Sequence, residues 1–283
     1  MNKRIQLSEY SPMITDERSS GNSNRISLRK YPSGDVEVTS LALNADESLG
    51  KGGGAPRRNT ERSQMSDRSL QDSLKRASIT MRRRILSINA SRMLTLTFRQ
   101  NITDPLIAWG RFKYFMKLVQ AGKSPFLYVA VMEFQKRGAI HFHLAVNRKL
   151  DYKYIRTLWY RAVGNIDVQS EDGSIKSLPN GNIDVRNPNR CGFNSWNPRR
   201  LAGYLTKYLK KSFNDSTEFN KRRYSSSKNI PVPQPVVGWA CFGSDMQLVL
   251  HELVCKMCPS DGVYLHEFKN YWHGYFAVNI NDK

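Results

Sequence analysis

The sequence predicts an α+β fold, a mainly antiparallel central sheet with helices packed on it, preceded by a disordered basic arm. Three observations carry this expectation. Only Tyr10 and Tyr31 among the aromatic residues precede Phe98, while Ser, Asn, Arg and Gly crowd the first ninety positions. From Arg92 onward, runs with the composition of strands alternate with runs at helical spacing. Two of the strand-like runs are separated only by Gln135-Lys136-Arg137-Gly138, as an antiparallel hairpin requires.

The elements follow in order. Residues 1–90 carry Gly52-Gly53-Gly54 and no sustained period of 2 or 3.6, so they are expected to bury too little apolar area to offset their conformational entropy. Within them, Leu70, Leu74 and Ile79 allow a marginal basic helix from Ser66 to Arg84, one that would fold only on nucleic acid. Arg92–Phe98 is apolar and rich in Thr and Leu, a strand. Thr103-Asp104-Pro105 opens a helix whose Ala108, Phe112, Phe115, Met116 and Val119 make a buried face, and Gly122 stops it. Phe126–Phe134 reads as a strand buried on both faces, with Ile140–Val146 as its hairpin partner.

A second helix spans Tyr152 to Val163. Gly164-Asn-Ile-Asp-Val168 is then echoed by Gly181-Asn-Ile-Asp-Val185, and the expectation is two strands joined across Glu171-Asp172-Gly173. Asn197-Pro198 opens a third helix that reaches Phe213, and Ser244–Met257 is one more amphipathic helix. The domain organisation expected is therefore an arm over 1–90, a folded domain over 91–230, and a C-terminal extension over 231–283 packed on that domain.

Charge narrows the partners. Forty-four Lys and Arg against 24 Asp and Glu leave +20 at neutral pH, which favours polyanions. The longest apolar run, Phe126 to Met132, is about a third of the ~20 residues a spanning helix needs, so no membrane role is expected. Met1-Asn2-Lys3-Arg4 has no apolar stretch behind it, and four cysteines make no disulfide framework in a chain this long. Both fit a reducing cytoplasm.

Chemistry concentrates in two places. His141-Phe142-His143 on a strand projects both imidazoles to one face, and a turn centred on Arg137 sets Glu133 across from His141 on that face. Two imidazoles and one carboxylate leave coordination positions open on a divalent metal, as a catalytic site requires. In the third helix, Leu201, Leu205 and Leu209 form a core stripe, and Tyr204 and Tyr208 form a second stripe roughly 80° away. Lys207 and Lys211 lie further round. A phenol ionises near pH 10 and needs help to act as a nucleophile, which neighbouring ammonium groups and a metal-polarised phosphate supply.

These residues resemble the HUH endonucleases, named for His-hydrophobe-His, and more narrowly the two-tyrosine rolling-circle replication initiators of small phages and plasmids. Leu94–Phe98 is similar to the first-strand motif, Glu133 with Gly138–His143 to the metal motif, and Tyr204–Lys211 to the nucleophile motif. The resemblance covers about residues 92–230. It implies an HUH endonuclease-like catalytic domain over 91–230 that nicks single-stranded or extruded origin DNA through a 5′-phosphotyrosine intermediate. It also implies Mg²⁺ or Mn²⁺ on His141, His143 and Glu133, with Tyr204, Tyr208, Lys207 and Lys211 catalytic. Arg199, Arg200, Arg222 and Arg223 are the expected contacts to DNA backbone. With no ATPase motif in the chain, unwinding would fall to a host helicase and the host replication machinery, in a bacterial cytoplasm.

Rival readings are an HUH-type transposase or relaxase, a non-catalytic single-stranded DNA binding protein, and a metal oxygenase, which lacks further ligands at a convincing spacing. His251, Cys255 and Cys258, with His266 beyond, have the residue types of a zinc site, but helical spacing explains the first two equally well.

Overall fold

The computed structural model describes residues 6–42, 67–122, 125–135, 138–186, 197–214, 223–241, 243–257, 266–270 and 273–278. The chain divides into two compact units: Glu61–Pro231, and a second made of Met1–Thr60 with Val232–Lys283. The α+β class is as expected.

The second unit begins with three strands, β1 (Ile14–Thr15), β2 (Asn22–Lys30) and β3 (Val36–Ala42). The other unit then runs α1 (Asp67–Ser87), β4 (Arg92–Phe98), α2 (Pro105–Ala121), β5 (Tyr128–Phe134), β6 (Ile140–Val146), α3 (Tyr152–Val163), β7 (Asn165–Gln169), β8 (Ile175–Pro179), β9 (Gly181–Arg186), α4 (Pro198–Asn214) and β10 (Tyr224–Ser226). The chain returns to the second unit with β11 (Val236–Cys241), α5 (Met246–Met257), β12 (His266–Asn270) and β13 (His273–Val278). Among the described residues no helix is long and apolar enough to cross a membrane.

The central unit is a five-stranded antiparallel sheet in the order β10-β5-β6-β4-β9. Side-chain alternation splits its strands into two faces. Leu94, Leu96, Ala130, Met132, Phe142 and Leu144 point to one side, against Phe112 and Phe115 of α2 and Trp159 of α3. Asp104 and Asp151 start those two helices by accepting from the backbone N–H groups of Leu106 and Tyr154. Met93, Val129, Val131 and Ala145 point to the other side, against Met81 and Ile85 of α1 and the leucine stripe of α4. The β5–β6 turn needs a left-handed residue, and Gly138 supplies it at φ +84°.

Three expectations change. The arm is not structureless over its described parts: β2 and β3 pair with each other and, through β11 and β13, with the C-terminal strands in a sheet ordered β1-β11-β2-β3-β13-β12. Ile26, Leu28, Val36 and Val38 do alternate, but their run is short and its outer partners lie in the last fifth of the chain. The segment 231–283 thus finds its strand partners in residues 14–42. Residues 67–87 form an intact helix because Met81 and Ile85 are fully buried on α4. Lastly, the two echoed segments are both strands but not partners: β7 pairs with β8 in a separate hairpin, while β9 joins β4 at the sheet edge.

Candidate functional site

The site is built on the α4 side of the sheet, from two cross-strand rows. One row reads Val131, His143, Thr95, Asp184 across β5, β6, β4 and β9, and the next reads Glu133, His141, Thr97, Asn182. Cross-strand partners share a face, so Glu133, both histidines and Thr95 project together. The register of Glu133 against His141 is the one the turn length predicts; Arg137 itself lies outside the described residues. All four side chains are buried.

Each is held by a neighbour. His143 Nε2 lies 2.7 Å from Glu133 Oε2, and its Nδ1 lies 3.2 Å from the Thr95 hydroxyl. A carboxylate only accepts, so the proton sits on Nε2 and Nδ1 accepts from Thr95. Gln135 holds Nδ1 of His141 at 3.1 Å. The ammonium of Lys211 donates to the other Glu133 oxygen at 2.7 Å and to the Phe134 carbonyl at 3.0 Å. Burial pushes the Glu133 carboxyl up, but the hydrogen bonds and positive charge of His143 and Lys211 outweigh it, and the group titrates below its ordinary value.

The tyrosines arrive on α4. Leu201, Leu205 and Leu209 are fully buried, which leaves Tyr204 and Tyr208 at the margin of the core. The Tyr208 ring stacks on His143, centroids 4.2 Å apart and planes 17° apart. Its hydroxyl donates to the Tyr204 oxygen at 2.5 Å. Burial, then that hydrogen bond, then the negative charge of Tyr204 and Glu133 push the Tyr208 phenol well above its ordinary value, and Arg186 on β9 opposes them. The phenols and the histidine–carboxylate cluster therefore meet on one side of the sheet.

Other expected residues fall differently. Lys207 is exposed on α4 and makes no hydrogen bond or ion pair among the described residues, so Lys211 alone reaches Glu133. Arg199 is half-buried and Arg200 exposed in the first turn of α4. Arg223 is a correction: it is buried, and its guanidinium donates to the Ser212 carbonyl near the end of α4, satisfying a helix-terminal acceptor. It is a structural clamp, not a surface cation offered to DNA. Arg222 lies outside the described residues. His251 and Cys255 are exposed on α5 with the thiol 3.7 Å from the imidazole, and Cys258 lies outside the described residues. Thr95, Gln135 and Arg186 were missed; strand parity marked Thr95 as sharing a face with its β6 partner, but nothing in the sequence identified that partner.

Among the described residues no three His, Cys, Asp or Glu side chains are gathered about one point as a bound ion would gather them. Glu133 is instead satisfied by His143 and Lys211. By donor type and register, Glu133, His141 and His143 still fit a small divalent ion. They offer two borderline nitrogens and one hard oxygen, buried on one face, with hydroxyl and amide partners behind the imidazoles. Ion uptake requires the His143–Glu133 bond to open and the His143 proton to move to Nδ1, and the Thr95 hydroxyl accommodates this because it accepts as readily as it donates.

The fold and site together define an α+β domain that presents a histidine–carboxylate cluster to paired phenols. Residues 91–213, from β4 to α4, match the family model described as Replication-associated protein, of the ORF2 type. This stretch contains every one of the clustered residues. A curated protein of Escherichia coli, the Phasyl DNA replicon protein arp, is 33% identical to the chain over 133 residues, which is 44% of this chain and 45% of that protein. The match thus spans less than half the length of that relative. No solved structure matches.

Proposed function

We propose that the domain cuts one strand of DNA at a replication origin by tyrosine attack and so initiates rolling-circle replication of a small phage or plasmid. The observation that carries this reading is the packing of Tyr208 on His143, with Tyr204 hydrogen-bonded beside it, inside the stretch that matches replication-associated proteins.

The two phenols are not equivalent. Tyr204 is the first nucleophile, because its oxygen accepts the Tyr208 hydrogen and its phenolate form would strengthen that bond. Its oxygen attacks phosphorus, the bond to the 3′-oxygen breaks, and that oxygen takes a proton and leaves as a 3′-hydroxyl. The 5′-phosphate stays esterified to Tyr204. Esterification removes the negative charge that helps hold the Tyr208 phenol up, leaving Tyr208 easier to ionise for the second cut. Lys211 neutralises Glu133 in the resting protein and lies where it can meet charge developing on phosphate oxygens. A divalent ion on Glu133, His141 and His143, Mg²⁺ or Mn²⁺, would supply polarisation of the scissile phosphate.

The test is incubation of the protein with 3′-labelled single-stranded DNA of the cognate replicon and Mn²⁺, followed by denaturing gels. A covalent adduct is expected, lost in the Tyr204→Phe/Tyr208→Phe double variant and in His143→Ala, with DNA binding largely kept in His143→Ala. Adduct that persists in the double variant overturns the nucleophile assignment, and equal loss of binding and cleavage in His143→Ala makes that histidine structural.

A further inference from the structure

The sheet face opposite the tyrosines carries a second concentration of charge. Helices α2 and α3, which cover that face, contain Arg111, Lys113, Lys117, Lys153, Arg156 and Arg161 and no Asp or Glu. Their capping residues Asp104 and Asp151 already accept from the helix N–H groups. Five of the six cations are exposed, and none of the six is paired with a carboxylate among the described residues.

Aromatic rings are set among these charges. Tyr114 is 41% exposed, Tyr152 41% and Tyr154 45%, large rings left to water on a face that has no need of them for its core. Arg156 lies over Tyr152 at 5.2 Å and over Tyr160 at 5.8 Å, a ladder at positions i, i+4 and i+8 that holds its guanidinium flat on the helix. Gly110 has nothing within 4 Å of where a Cβ would stand, which keeps the outer face of α2 low beside Lys113 and Tyr114.

We infer that the α2–α3 face binds single-stranded DNA, separately from the tyrosine site on the other side of the sheet. Unopposed cations provide for a polyanion, and exposed tyrosines provide stacking surfaces that only unpaired bases can use. An acidic protein segment would use the cations but not the exposed ring faces. The inference goes beyond the proposed cutting reaction and does not require it: the face retains a strand at a distance from the cut.

The experiment uses the full chain and a 30-nucleotide oligo(dT), with anisotropy read across a salt series. Replacing Lys113, Lys117 and Lys153 with Gln is expected to flatten the log-log salt slope by about 2, from three phosphate contacts at about 0.7 each. Restoring charge with Arg at the same positions should recover the slope, which separates the effect from misfolding. Tyr114→Leu/Tyr154→Leu is expected to weaken binding about tenfold with the slope unchanged, as loss of base stacking would. An unchanged slope in the Gln variant overturns the proposal. So does full oligo(dT) affinity in the tyrosine variant, or equal competition by polyglutamate, which would make the face a docking site for acidic protein. Covalent adduct formation on a short oligonucleotide should be unchanged in all these variants. If wild-type protein forms no adduct but the salt slopes behave as stated, the cutting reaction fails and this face stands.

Discussion

Replacing one phenol at a time separates the roles assigned to Tyr204 and Tyr208. The hydroxyl of Tyr208 stands 2.5 Å from the Tyr204 oxygen, at the short end of the range for a bond to an ionised acceptor. A hydrogen bond to a charged group contributes about 1–1.5 kcal/mol more than a neutral one. Tyr208→Phe removes that increment from the Tyr204 phenolate, so the first cut should slow about tenfold at neutral pH, with its rate profile displaced upward by about one pH unit. Tyr204→Phe should slow the first cut far more, with residual adduct carried by Tyr208. Single-turnover cleavage of 3′-labelled single-stranded DNA gives the rates, and mass spectrometry of the adduct peptide gives the residue. Equal losses in the two variants would refute the reasoning, as would a wild-type rate in Tyr204→Phe with adduct on Tyr208.

Three further outcomes follow from the same cluster. Thr95→Val removes the group that serves either tautomer of His143, and Mn²⁺ affinity measured by calorimetry should fall about 10- to 100-fold; an unchanged affinity would show that the hydroxyl does not support the ligand. Glu133 titrates below its ordinary value of 4.5, so its contribution to stability is full above that pH and is lost as pH falls through the lower folded value. Metal-free protein should therefore lose denaturant stability on acidification more steeply than Glu133→Gln, and identical pH profiles would refute the link. Leu205→Ala empties a fully buried position under the tyrosines and should cost about 2–5 kcal/mol in a denaturant melt; a loss under about 1 kcal/mol would mean that α4 is not anchored by that stripe.

The parts legible in the sequence are those whose partners are close in the chain. The β5–β6 register follows from turn length alone, so Glu133 opposite His141 was within reach, as were α2 and α3, each opened by an Asp cap. The stripes of α4 were legible because helical geometry orders residues around an axis. Long-range pairing was not. Ile26 and Leu28 look ordinary until β11 and α5 supply the other side of their core. Met81 and Ile85 lie in a basic, Ser-rich stretch whose burial depends on α4, far along the chain. Arg223 reads as a surface cation in a basic run, and only the position of the Ser212 carbonyl turns it inward. Charge composition distinguishes neither case, since a cation with a buried carbonyl partner and one facing solvent have the same letter.

What the fold adds to the motif residues is a fixed distance. Glu133, Thr95, His141 and His143 stand on three hydrogen-bonded strands, where register leaves them no freedom along the chain direction. Tyr204 and Tyr208 stand on a helix whose opposite stripe is buried against Met93, Val129, Val131 and Ala145 of those same strands. The separation of phenol from imidazole is therefore set by core side chains and not by the polar contacts between them. Chemistry that needs a reacting oxygen placed to a fraction of an ångström requires this kind of support. It also explains why α1 belongs with this unit although the family match begins after it: Met81 and Ile85 close the far side of α4, and without them the helix that carries both phenols would be held from one side only.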